Sequence, residues 1–237
     1  VMAYKFLAFD IETAKVLPDN FDDLHNHRPL GITCAAIWCT DKSKPEVFYS
    51  EESNGSPAPK MTVQDLNTFI DHLNSKVKAG YTILTHNGLG FDFDILAEES
   101  ERFESCRSLA LQHVDTMFHF FCGKGFPISL NAAAKAIGNS KPSDVDGSKA
   151  PILWKERSFQ KVINYVAQDC RLTLDVAETS ENCGQISWIT QRGRESYFPL
   201  PNGWLTVEQA SQLPLPDTSW MDNPWPRSKF TNWLNKS

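Results

Sequence analysis

The sequence predicts an α/β fold, a mixed sheet with flanking helices, followed by a short C-terminal extension of different character. Three observations predict it. Three apolar runs of strand length come first, then a helix, and thereafter strands and helices alternate, an order that suits a sheet whose strands do not all run the same way. The stretch Phe159 to Glu178 carries a continuous helical stripe of apolar residues. From Gln185 onward the composition shifts, with five of the seven Trp and six of the fourteen Pro concentrated there. At 237 residues, 41% hydrophobic and 22% charged, the chain has material for one self-sufficient core and an appendage. We divide it into 1–184, the main domain, and 185–237, an extension that packs on that domain or contacts what it binds.

Each element has its own local reason. Tyr4 to Phe9 is an apolar run that ends at Asp10, and Ile32 to Cys39 and Val47 to Tyr49 read as the next strands. Thr62 is placed to cap a helix with Asp65 three residues on; Val63, Leu66, Phe69, Ile70, Leu73 and Val77 share its apolar face, and Gly80 stops it. Tyr81 to Thr85 forms a fourth strand and Val114-Asp115 a fifth, with shorter helices near 93–100, 116–122 and 129–137. The polar stretch Gly138 to Ala150 reads as a surface loop. In the long helix that follows, Val162, Ile163, Val166, Cys170 and Leu174 form the stripe. In the extension, Ile186 to Ile189 and Tyr197 to Leu200 flank Arg192-Gly193-Arg194 as a hairpin, and Thr206 caps a helix over Val207 to Leu213.

Composition excludes several function classes. No window is apolar over the ~18 residues a membrane span needs, and Val1 to Asp10 lacks the basic-then-apolar order of a signal peptide, so a cytoplasmic protein without a membrane partner is expected. The six cysteines are scattered without metal-binding spacing and read as free thiols. A net charge of −6 argues against coating nucleic acid through a broad basic surface. It leaves room for an enzyme that reaches phosphates through metal ions.

Three acidic segments stand out. Asp10 and Glu12 end an apolar strand, and the period of two places both carboxylates on one side of it. Thr85 to Leu96 sets Asn87 at a strand end and Asp92 where a helix begins, just after Phe91. Tyr165 and Asp169, four apart on the long helix, share a face with their β-carbons about 5–6 Å apart. Each has an ordinary structural explanation alone: solvated strand-end acids, a helix cap, a tyrosine packed on the sheet. Their joint order in one chain favours a shared site.

Together, Phe9-Asp10-Ile11-Glu12-Thr13, Asn87 to Leu96 and Tyr165 to Asp169 resemble the three motifs of the DEDD exonucleases of the ribonuclease H-like superfamily, tyrosine subtype (DEDDy). The form Asn-Gly-Leu-Gly-Phe-Asp is most similar to the proofreading domains of family B DNA polymerases and their stand-alone relatives. The resemblance covers roughly residues 3–180 and implies a ribonuclease H-like sheet and 3′→5′ removal of nucleotides from single-stranded nucleic acid 3′ ends, DNA favoured over RNA. It also implies two divalent ions, Mg²⁺ or Mn²⁺, held by Asp10, Glu12, Asp92 and Asp169. In this reading Asp10 bridges both ions, Glu12 and Asp169 hold the one that orients the water, Asp92 holds the other, and Tyr165 aims the water by a hydrogen bond. Two hard cations about 3.5–4 Å apart suit phosphodiester hydrolysis, because they stabilise charge on the attacking and leaving oxygens. Thr13, Asn87 and Phe91 are the candidates for substrate contact, although core filling is the stronger role for Phe91. Asp94 is the alternative to Asp92, which is favoured because it follows Phe91 at the helix start. The Asp of Val114-Asp115-Thr116-Met117 also resembles a family segment, where it supports the fold.

Other features weigh less. Residues 123–161 hold seven Lys and Arg against three Asp and Glu, and we expect the incoming strand near them. His25-Asn26-His27 lacks a third ligand, Gly88-Leu89-Gly90 is no dinucleotide fingerprint, and the tail tryptophans either clamp the domain or stack bases. Two competing readings remain: a catalytically silent exonuclease-like binding module, and a haloacid dehalogenase-like phosphatase using Asp10 as nucleophile. The intact carboxylate set argues against the first, and Glu12 where that phosphatase motif needs Asp argues against the second.

Overall fold

The first apolar run extends through the acidic pair to form β1, Phe6–Thr13, the central strand of a five-stranded sheet. The structure is a computed structural model that describes residues 4–21, 23–140 and 147–235. β2 (Ile32–Cys39) pairs antiparallel with β1, and β3 (Glu46–Phe48) pairs antiparallel with β2 at one edge. On the other side of β1 lie β4 (Thr82–Thr85) and β5 (Val114–Asp115), both parallel, so the order is β3-β2-β1-β4-β5. This is the mixed α/β sheet expected of a ribonuclease H-like fold.

The pleat sorts β1 into two faces. Leu7, Phe9 and Ile11 pack with α1 (Val63–Lys78), α2 (Asp92–Ser100) and α3 (Phe103–Gln112). Phe6 and Ala8 face the opposite layer, built of α5 (Leu130–Ala136), α6 (Ala150–Lys155) and the long α7 (Phe159–Cys183). Between them, α4 (Thr116–Lys124) sends Phe118 into the first core and Phe120 into the second. Thr62 caps α1 by accepting the N–H of Asp65, and Leu66, Phe69, Ile70 and Leu73 are buried as the stripe predicts; Val63 is exposed.

Three local readings need correction. α3 was not expected, because only Cys106, Leu109 and Ala110 of its ten residues are buried and the stripe is too thin to read. The loop drawn over Gly138 to Ala150 closes earlier: Gly147–Lys149 is a 3-10 turn and α6 starts at Ala150 with Pro151 in its first turn, while 141–146 lie outside the described residues. α7 runs past Glu178 to Cys183, where Gly184 at φ +66° takes the left-handed position that ends it.

The extension is fastened to both layers. β6 (Gln185–Ile189) and β7 (Glu195–Pro199) form an antiparallel hairpin, and α8 (Val207–Ser211) begins in a reciprocal cap between Thr206 and Gln209. Trp188 and Trp204 are buried in the α7-side core, with Trp204 Nε1 donating to the Ala177 carbonyl at 2.9 Å. From α9 (Ser228–Thr231) and the 3-10 turn that follows it, Phe230 and Trp233 enter the other core. Trp220 and Trp225, by contrast, are 67% and 43% exposed. Among the described residues no helix is long and apolar enough to cross a membrane.

Candidate active site

The pleat that sends Phe6 and Ala8 toward α7 does the same for Asp10 and Glu12 two and four positions on. Their neighbours across the β1–β2 ladder are small: Ala36 stands opposite Asp10 and Cys34 opposite Glu12. Small side chains there let α7 approach closely, and the Cys170 thiol donates to the Ala36 carbonyl at 3.3 Å. Asp169, next along the helix, is thereby brought within electrostatic reach of Asp10. Asp92, first residue of α2, reaches the same place from the other side, accepting the backbone N–H of Ile11 at 3.1 Å. Four acids from three separate segments thus converge, and Glu12, Asp92 and Asp169 are all buried.

Asp94 takes no part. Its carboxylate forms a two-pronged ion pair with Arg28, one arm at 3.1 Å, and Arg28 also meets Glu98 at 3.0 Å. Helical rotation over two residues turns Asp94 away from β1 and toward the loop before β2.

The turn between β4 and α2 is built for close quarters. Asn87 adopts φ +78°, which Asn tolerates better than most residues, and a β-carbon on Gly88 would lie 2.4 Å from the Thr85 hydroxyl. Asp115 pins this turn by accepting the N–H groups of Asn87 (3.0 Å) and Leu89 (2.9 Å), and it caps α4 through those of Met117 and Phe118. Its role is structural, as its segment suggested. His86 bridges the Thr116 hydroxyl and the Ile128 carbonyl at 2.8 and 2.9 Å.

A cleft of about 280 Å³ opens here, lined by Asp10, Asp92 and Asp169 together with Asn87 and Phe91. Met117, Ser129 and Thr173 also line it. Thr173 follows Asp169 by one helical turn and was findable from that spacing; Met117 of α4 and Ser129, which caps α5, come from elements whose placement only the fold decides. Glu12 and Tyr165 are buried and do not line the cleft. The Tyr165 hydroxyl instead stands beside Gly147, where a β-carbon would be 3.4 Å from it. A broader basin of about 560 Å³ on that side is lined by Thr13, Lys15, Phe91, Gly147 and Lys149. Phe91 borders both spaces while packing partly on the core.

The basic cluster of 123–161 is divided by the fold. Lys149 faces that basin, whereas Lys155 and Arg157 line another groove beside Trp154 and Phe159. Lys141, Asp144 and Asp146 lie outside the described residues. His25 and His27 belong to a 3-10 turn capped by Asp23.

Electrostatics make the cleft costly to charge. Burial, then the charges of Asp92, Asp169 and Glu12, hold Asp10 well above the usual carboxylate range, and Asp10 shares a hydrogen bond with Asp92. Burial also pushes Asp92 up to about 6, against the opposing hydrogen bonds from Asp10 and the Ile11 N–H. Among the described residues no three His, Cys, Asp or Glu side chains form a preformed metal-holding cluster. The acids are near enough to repel one another without being drawn into a cage, and hard carboxylate oxygens are the donors Mg²⁺ or Mn²⁺ prefers. The donor set therefore fits such ions, which would relieve the repulsion.

The family profile described as the RNase_H superfamily matches residues 7–180. Among solved structures, the family B DNA polymerase from the hyperthermophilic archaeon Pyrobaculum calidifontis is similar, with a TM-score of 0.54 at 21% identity over 75% of this chain and 24% of the polymerase. This chain thus spans about a quarter of the polymerase's length, and at that identity the likeness is one of fold. No curated protein matches the sequence.

Proposed function

This chain belongs to the RNase_H superfamily, and on that premise we propose that it is a metal-dependent 3′→5′ exonuclease of the DEDD type, tyrosine subtype, acting on single-stranded nucleic acid. The observation that carries the reading is the convergence of Asp10, Glu12, Asp92 and Asp169 from β1, α2 and α7, with Asp10 sensing the charge of the other three.

Asp10, Glu12, Asp92 and Asp169 would hold two divalent ions, which would supply charge stabilisation on the phosphate oxygens and lower the pKa of water. The protein supplies the rest. The Ile11 N–H fixes the Asp92 carboxylate, and the close seat of Cys170 on Ala36 fixes Asp169. Tyr165 donates a hydrogen bond that orients the attacking water; a phenol is ordinarily neutral near pH 7 and in that form is a poor general base. Asn87, held at positive φ by Asp115, presents its amide to the sugar-phosphate of the terminal nucleotide. Phe91 and Thr13 border the path of the strand between the cleft and the wider basin.

The deciding experiment uses 5′-labelled single-stranded DNA and RNA with Mg²⁺ or Mn²⁺, resolved on a sequencing gel. A ladder shortening from the 3′ end, lost in excess chelator, is expected, with DNA the better substrate. Internal cuts, release of the 5′ label as a mononucleotide, or undiminished cleavage in chelator would overturn the reading.

A further inference from the structure

Beside the acidic cleft lies a second cavity of about 400 Å³, and its outer wall belongs to the C-terminal extension: Trp225, Lys229 and Phe230. Its inner wall includes Asn87, Met117 and Ser129, each of which also lines the acidic cleft, so the two spaces adjoin.

The extension is held firmly where it builds this wall. Trp233 Nε1 donates to the Leu89 carbonyl at 2.6 Å, within the turn that carries Asn87. Phe230 is buried with ring centroids 5.6 Å from Phe118 and 4.8 Å from Phe121. Arg227 donates to the carbonyls of Cys122, Ser211, Leu213 and Pro214. Even Gly90 is shaped to this contact, since a β-carbon there would lie 3.0 Å from Phe230 Cδ1.

Against that fixed background, Trp225 is 43% exposed, with the Lys229 ammonium 3.4 Å from its ring centroid. The ring packs on Phe230 and still leaves a large part of its surface open at the cavity wall, with a cation beside it. An aromatic face joined to a cation and a side-chain amide matches one nucleotide of a single strand, because a base stacks on the ring whatever its identity and a lysine meets the phosphate. The volume suits a small-molecule-sized unit. The shared wall with the acidic cleft points to the occupant: a strand whose scissile phosphate lies at the carboxylates has its neighbouring nucleoside within reach of this wall.

We infer that this cavity is a nucleotide subsite, in which Trp225 stacks one base of the single strand and Lys229 meets the adjoining phosphate, so that the C-terminal extension completes the substrate cleft. The inference rests on the nuclease reading of the acidic cleft and deepens it.

The test separates binding from cleavage. In the Asp10→Asn background with Mg²⁺, anisotropy of labelled oligothymidylate should report binding that weakens about tenfold in Trp225→Ala, the yield of a lost base stack, and also falls in Lys229→Gln. In the chain with Asp10 intact, both changes should raise KM for the oligonucleotide while leaving the melting temperature near that of the parent. Unchanged oligonucleotide affinity in the double variant, with cleavage retained, overturns the subsite and leaves the nuclease reading standing. Affinity lost in the variants of a chain that never cleaves overturns the nuclease reading instead. No binding by the parent overturns both.

Discussion

Asp92 and Asp94 sit two residues apart at the start of one helix and serve opposite ends: Asp92 accepts the Ile11 N–H inside the acidic cleft, and Asp94 is locked to Arg28 outside it. Geometry of this kind separates chemistry from stability. Asp92→Ala should abolish cleavage, by orders of magnitude, because the ligands act as one unit. Asp94→Ala should leave turnover per folded molecule intact but destabilise the fold by about 3 kcal/mol, the low end for a broken buried pair, since Glu98 still meets Arg28. Denaturation curves and rates for both variants check the assignment; loss of turnover in a folded Asp94→Ala would reverse it.

The shared hydrogen bond between Asp10 and Asp92 marks a site that opposes folding until cations arrive. Removing one charge should therefore stabilise the metal-free protein. Asp10→Asn is expected to raise the unfolding free energy in chelator while eliminating activity, because burial and the neighbouring carboxylates hold the Asp10 carboxyl well above its ordinary range. Mg²⁺ should raise the melting temperature of the parent more than that of the variant. A variant less stable than the parent in chelator would show that the acids are not strained against one another.

A pH effect arises away from the cleft. Burial drops His119 to about 4 from an ordinary 6.5, and its Nδ1 accepts the Leu205 N–H at 3.3 Å in the joint between α4 and the extension. A histidine depressed in the folded state binds its proton better when unfolded, so its contribution is full above pH 6.5 and is lost as pH falls from 6.5 toward 4. The total is about 3 kcal/mol by linkage. Buried His113, also lowered, acts in the same direction, whereas the raised Asp10 and Asp92 act in the opposite one. The comparison that isolates His119 is the parent against His119→Gln, which lacks the titration. Their stability difference should shift by about 2 kcal/mol in favour of the variant between pH 7 and pH 5, and parallel curves would refute the account.

How much of this was legible in the sequence depends on how local the determining physics is. The period of two in β1 placed Asp10 and Glu12 on one face, and the i, i+4 spacing placed Tyr165 with Asp169, because both follow from backbone geometry alone. The Thr62 and Thr206 caps were legible for the same reason. Asp92 was favoured over Asp94 by its place after Phe91, but what occupies Asp94 was not legible, because its partner Arg28 lies 66 residues away and carries no local signal. Nor could spacing reveal that Trp188, Trp204 and Trp233 are buried while Trp220 and Trp225 are exposed, since that division depends on which sheet face each segment reaches. The thin stripe of α3 and the proline-led start of α6 escaped because tertiary burial outweighs their weak periodicity.

Tyr165 offers the sharpest test of the proposed chemistry, because role and packing can be separated by one oxygen. The ring is buried in the α7 layer, while its hydroxyl stands beside Gly147 and outside the lining of the acidic cleft. If the phenol orients water, Tyr165→Phe keeps the ring, the helix and the four acids and removes one hydrogen bond made at the transition state. The rate should fall about 10²-fold or less, the usual yield of a positioned acid-base group, with melting temperature and metal affinity close to those of the parent. Asp169→Ala, one helical turn along, should lose more, because it removes a carboxylate from the charged set and metal affinity with it. Rates, metal titrations and melting curves for the two variants distinguish the cases: full activity in Tyr165→Phe would reduce the tyrosine to a packing residue and leave Asp169 as the sole contribution of α7 to the chemistry.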